Sequence, residues 1–136
     1  MKITDFISIT KLHPEKDWGL LESGRGLMYK KQGAMLACIH NGEPMRYLAF
    51  IEFAPNTPRG GHYHNEKIEN ICVVSGKLKA KYWLADNSAE SMEIELSPGD
   101  TVNIKPGMVH VYESTSGAFA VEFSPNKFEL KDVLEA

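Results

Sequence analysis

Two histidines two residues apart, His62 and His64, precede a carboxylate, Glu69, in the segment RGGHYHNEKIENICVVSG at 59–76. Neutral imidazole nitrogens and an ionised carboxylate are lone-pair donors for a divalent transition metal. On an extended chain residues i and i+2 leave the same face, so both rings can reach one ion. Glu69 opens the run ENICVV on the face shared with Ile71 and Val73, and an antiparallel return would bring that face beside the two rings. A further histidine, His110, stands far downstream with Tyr112 on its face. Three imidazoles and one carboxylate leave a divalent ion with a single net positive charge. The set suits iron, manganese, nickel, cobalt, copper or zinc. An octahedral ion held in this way keeps two positions open for water, dioxygen or a chelating substrate, which favours catalysis over structural bracing.

Other side chains belong around such a site. Arg59 precedes Gly60-Gly61 and can meet an anionic substrate group. Tyr112 offers a phenolic proton. Glu52 and Glu122 interrupt the apolar runs YLAFIEF and AFAVEF. A carboxylate facing an apolar interior has its pKa raised by desolvation and can act as a base, whereas the same residue on an edge strand discourages aggregation. Tyr63, between two candidate ligands, points away by alternation.

The elements that must hold these residues read as short strands. MRYLAFIEF (45–53) has period two with both faces mostly apolar, as expected of a strand covered on each side. APNTPRGG is a turn-rich break. IENICVV (68–74), KLKAKYWLA (77–85), MEIEL (92–96), TVNI (101–104), VHVYES (109–114) and AFAVEF (118–123) follow, separated by turns. Upstream, FISIT (6–10) and MLACI (35–39) fit strands, with breaks at Pro14, Gly19 and 24–26. The tail NKFELKDVLEA suits a short helix or an edge strand. Many short strands without a long amphipathic helix predict an all-β sandwich or barrel. The division expected is one domain, with an N-terminal arm and first strands at 1–44, a core barrel at 45–124 and a tail at 125–136.

At 136 residues the chain has room for one core. Its net charge of −3 is mild and lacks a basic run, which argues against nucleic acid as partner. Cys38 and Cys72 lack CxxC spacing and sit in apolar runs, as buried free thiols of a reducing compartment do. Asp5 interrupts the N-terminal apolar stretch, and no run is long enough to cross a bilayer, so a cytoplasmic protein without a membrane partner is expected.

These residues resemble the two motifs of the cupin superfamily. The first, HxH, three or four residues, Glu, six residues and Gly, is matched by His62-Tyr63-His64, Glu69 and Gly76. The second is similar at Gly99, Gly107 and His110. Asn56 stands where the first motif usually has glycine, Lys105 where the second has proline, and Ser114 where it has asparagine. The resemblance implies an antiparallel double-stranded β-helix, or jelly-roll barrel. It implies a metal-dependent enzyme acting on a small organic molecule, of the dioxygenase, decarboxylase, lyase or isomerase type, and a homodimer for which FISIT is a candidate exchanged strand. RGGHYH also resembles the active-site strand of cupin-like nucleotide-sugar epimerases and ketoisomerases. That similarity implies a metal-independent reaction with His62 as base and Arg59 holding the pyrophosphate. A non-catalytic small-molecule binder is the third expectation.

Overall fold

The chain's alternating apolar residues decide which faces of its strands meet. The computed structural model describes residues 2–15, 27–31 and 33–136. One five-stranded sheet runs in the order β1 (Ile7–Thr10), β10 (Thr101–Ile104), β7 (Glu69–Gly76), β12 (Ala118–Ser124), β5 (Tyr47–Phe53). A second runs β13 (Leu134–Glu135), β6 (Arg59–Tyr63), β11 (Met108–Glu113), β8 (Leu78–Leu84), β9 (Asn87–Leu96). All neighbours within these two sheets are antiparallel. In β8, Leu78, Ala80, Tyr82 and Leu84 are buried while Lys79 and Lys81 are exposed. The buried face of β8 packs with Ile71 and Val73 of β7, Val102 and Ile104 of β10, and Phe53 of β5. The two sheets therefore close on one apolar interior, as a jelly roll does.

A smaller three-stranded sheet runs in the order β2 (His13–Glu15), β3 (Leu27–Lys31), β4 (Ala34–Cys38). Its β2–β3 pair is parallel, a departure from the expected antiparallel pattern, and Pro14 lies within β2 rather than at a break. The turns expected at Gly19 and at 24–26 lie outside the described residues. FISIT pairs with β10 of its own chain, Ile7 opposite Ile104. Both cysteines are free thiols, Cys72 buried and Cys38 half-buried.

Several boundaries differ from expectation. The break before His62 ends early, because Arg59–Tyr63 extends as β6 against β11. The turn after β8 is only Ala85–Asp86, and β9 begins at Asn87. The strand β5 is covered on one side only, with Leu48 and Phe50 66% and 75% exposed. The tail is both things in turn, a short 3-10 helix at Leu130–Asp132 and then the two-residue β13 beside β6. Among the described residues no helix is long and apolar enough to cross a membrane.

Candidate functional site

The antiparallel pairing of β6 with β11 sets His62 directly opposite His110. Their rings meet edge to face with centroids 4.7 Å apart. That pairing depends on Gly60, whose φ is +123° and whose missing Cβ would collide with the His110 carbonyl oxygen. His64 follows β6 at the start of the loop to β7, and its ring centroid is 5.7 Å from that of His110. One ligand atom from each of His62, His64 and His110 lies within 4.8 Å of the other two.

Glu69 reaches this cluster from the opposite sheet. Its Oε2 is 2.8 Å from His110 Nε2 and its Oε1 is 3.6 Å from His64 Nε2. Both rings are fixed from behind: His64 Nδ1 lies 2.9 Å from the Asp132 carbonyl oxygen and His110 Nδ1 3.2 Å from that of Met108. A carbonyl only accepts, so each Nδ1 carries the proton and each Nε2 presents a lone pair to the cluster. The short Nε2–Oε2 approach is then no hydrogen bond of a neutral ring. Among the described residues, His64 Nε2 and Glu69 Oε2 are buried without a hydrogen-bond partner. Two lone-pair atoms this close need a shared cation, either a second ring proton or a metal ion.

With a proton there, His110 and Glu69 form an ion pair. Burial alone would lower the His110 pKa, but the hydrogen bond and charge of Glu69 outweigh it and raise the value. Burial alone would raise that of Glu69, but the neighbouring His110 and His64 rings and the Lys67 charge outweigh it and hold the carboxyl well below its usual range. An ion there would be held by the ligand atoms of His62, His64 and His110, which lie within 4.8 Å of one another, with Glu69 beside two of them. The donor set, its tautomers and its orphaned atoms thus fit a divalent ion. Burial, with the neighbouring His110, lowers the His62 pKa to about 4, leaving that ring neutral and available as a ligand.

The cluster opens on a cavity of about 180 Å³. Arg59 stands exposed on its wall, and the buried Tyr112 lines it as well. The Tyr82 hydroxyl donates to that of Tyr112 at 3.1 Å, which leaves the Tyr112 proton for another acceptor. Burial first, then Tyr82, raises the Tyr112 pKa well above its ordinary value. Glu122 faces the cavity beside Glu69, and burial together with the Glu69 charge pushes its pKa up to about 7. Glu52 is not brought to the site. On β5 the cavity takes Tyr47 and Ile51, so Glu52 has the opposite parity and stands exposed on the outer face.

A profile described as the cupin domain matches residues 49–124, more than half of the chain. The chain belongs to the cupin family. No curated protein matches this cupin significantly. Among solved structures it resembles a sugar 3,4-ketoisomerase from Thermoanaerobacterium thermosaccharolyticum in complex with TDP, at 14% identity and TM-score 0.71, over 96% of this chain and 88% of that one. It resembles a TDP-quinovose 3,4-ketoisomerase from Campylobacter jejuni at 16% identity and TM-score 0.72, over 96% and 92%. The capsular polysaccharide assembling protein CapF from Staphylococcus aureus is similar at 21% identity and TM-score 0.61, over 81% of this chain but 34% of that one. At these identities the likeness concerns the fold.

Two residues of the cupin's site escape the motif. Asp132, in the tail, holds His64 through its carbonyl, while its carboxylate accepts the backbone N–H groups of Asn65, Glu66 and Lys67 at 2.8–3.3 Å. Lys67 is buried on the cavity wall with Nζ 3.3 Å from Glu69 Oε1. Lys67 stands in the loop before β7, where no strand alternation marks it as inward. Asp132 has no local signal, being 68 residues from His64.

Proposed function

We propose that this cupin is an enzyme that holds one divalent transition-metal ion on His62, His64 and His110, with Glu69 as fourth donor, and acts on a small organic molecule. The observation that carries this reading is the gathering of ligand atoms from His62, His64 and His110 within 4.8 Å of one another, with the His64 and His110 rings held from behind by backbone carbonyls. Such carbonyl partners set the tautomer and orientation of metal-bound imidazoles. When bound, the ion would supply Lewis acidity toward a carbonyl or carboxylate oxygen. Glu122, poised near neutrality, takes a proton from the substrate, and Tyr112 gives one back. Arg59 meets the substrate at the mouth.

The test is metal analysis of freshly purified protein. About one ion per chain, lost in His62→Ala and in His110→Ala, is the expected result. Absence of metal, with no uptake from iron, manganese, nickel, cobalt, copper or zinc salts, overturns the reading.

A second reading, a metal-independent nucleotide-sugar ketoisomerase with His62 as base, is favoured by Arg59 and His62 sharing one cavity wall, with Arg59 opposite Tyr112 in register. Against it, an imidazole with a pKa of about 4 is a weak base at neutral pH. The cavity is of the size that holds one small ring, so a nucleotide would lie outside it. Metal-free protein that binds TDP and isomerises a TDP-4-keto-sugar would move the assignment to this reading.

A further inference from the structure

Lys67 has no part in that reading, yet it is the buried residue hardest to explain by packing alone. Its side chain is 5% exposed, in the loop that joins β6 to β7. Nζ lies 4.0 Å from the centroid of the Tyr47 ring and 5.5 Å from that of Phe128. Among the described residues the hydrogen-bonding partner of its Nζ is Glu69, which also faces His110 and His64. Lysine is almost never fully buried unless paired, and desolvating an ammonium costs several kcal/mol. A methionine would cover the same two rings without that cost.

The compensation Lys67 receives is partial. An ammonium carries three donors. One goes to Glu69, and the aromatic faces stabilise the charge without supplying a lone pair. The side chain also forms part of the cavity wall, with the imidazoles and Glu69. Tyr47, Ile51 and Phe128 give the cavity an apolar lining around this cation. A ligand that satisfies both features has a small flat or apolar body and an oxyanion.

We propose that Lys67 receives the carboxylate of the ligand, so that the cavity selects small organic acids over their neutral analogues. The proposal deepens the preceding reading by naming a substrate class for the same cavity. It requires binding there but not a bound metal. A charge-assisted hydrogen bond exceeds a neutral one by enough to separate acid from amide about tenfold in affinity.

Calorimetric titration of the full-length, metal-free protein with two matched pairs, pyruvate against pyruvamide and benzoate against benzamide, tests it. At least one acid should bind about tenfold more tightly than its amide. Lys67→Met should reduce that ratio to near unity, Lys67→Arg should retain part of it, and thermal melts should show both variants folded. Lys67→Gln replaces the methionine variant if that one does not fold. Wild-type protein that binds neither acid, or a Lys67→Met or Lys67→Gln variant that keeps the full preference, overturns the proposal. A protein that takes up no metal but shows the Lys67-dependent preference would sink the metal reading alone.

Discussion

Asp132 grips His64 from behind, its main-chain oxygen 2.9 Å from the imidazole Nδ1 while its carboxylate collects the N–H groups of the three residues that follow His64. Asn126 accepts the next N–H, that of Ile68, at 3.0 Å. The tail thus shapes the loop carrying both His64 and Lys67, although it contributes no candidate ligand. Groups that orient a metal-bound imidazole are worth about 10–100-fold in metal affinity. Asp132→Ala keeps the carbonyl but releases the loop, so metal affinity is expected to fall about tenfold, toward the lower end of that range. Asp132→Asn, which retains one acceptor oxygen, should lose less. Competition with a chromophoric chelator measures both, and an unchanged affinity in Asp132→Ala would refute the role.

Glu122 should act on chemistry and on stability in opposite senses. Its folded pKa of about 7 lies above the ordinary 4.5, so the stabilisation from keeping it protonated is full below 4.5 and is lost as pH rises through about 7. Glu122→Gln fixes a neutral side chain there. In metal-free protein the variant should melt above wild type at pH 8, with the difference vanishing near pH 5. Turnover, once a substrate is known, should fall by about 10²–10⁴-fold with metal content unchanged. Equal melting temperatures at pH 8 would show that the carboxyl is not held protonated.

The ion pair of His110 and Glu69 makes metal uptake depend on pH. His110, raised above 6.5, stabilises the metal-free protein fully below that value and loses this as pH rises through its folded pKa. Glu69, lowered below 4.5, stabilises above that value and loses this as pH falls through its folded pKa. The pair is therefore worth most between about 4.5 and 6.5. A metal must displace the His110 proton, so affinity should rise with pH by up to about tenfold per unit until that proton is gone. Metal titrations between pH 6 and 8 check the slope, and Glu69→Gln should flatten it. A flat wild-type profile would contradict the pairing.

How much of this was readable from residue order depends on the residue. The three histidines could be grouped because strand alternation puts His62 and His64 on one face and the motif spacing supplies His110. Glu52 and Glu122 looked alike, each a carboxylate in an apolar run. Which face of β5 is inward depends on the partner sheet, and the exposed Leu48 and Phe50 share the parity of Glu52. The departures from the motif make sense only in three dimensions. Asn56 takes the glycine position with φ +57°, a left-handed conformation that asparagine tolerates. Lys105 takes the proline position, and its N–H donates to the Phe6 carbonyl at 2.8 Å, a bond that proline cannot make. Ser114, in the asparagine position, is buried, and its carbonyl accepts the Asn56 N–H at 2.7 Å.

Gly60 and Gly61 provide a paired test of whether the β6–β11 contact assembles the site. Both have positive φ, +123° and +86°, so alanine is strained at either. Of the two, Gly60 is where a Cβ meets backbone, the His110 carbonyl oxygen and, at 3.1 Å, the Val111 Cα, whereas at Gly61 none of the described residues lies within 4 Å. The backbone conformation alone costs of order 1–3 kcal/mol in each variant. Gly60→Ala adds a collision at the residue that faces His62, so β6 must move away from β11 to relieve it. Urea unfolding should therefore show Gly60→Ala as the less stable variant, and its metal affinity should drop while that of Gly61→Ala stays near wild type. If both variants bound metal equally well, the pairing of these two strands would not be what brings His62 and His110 together.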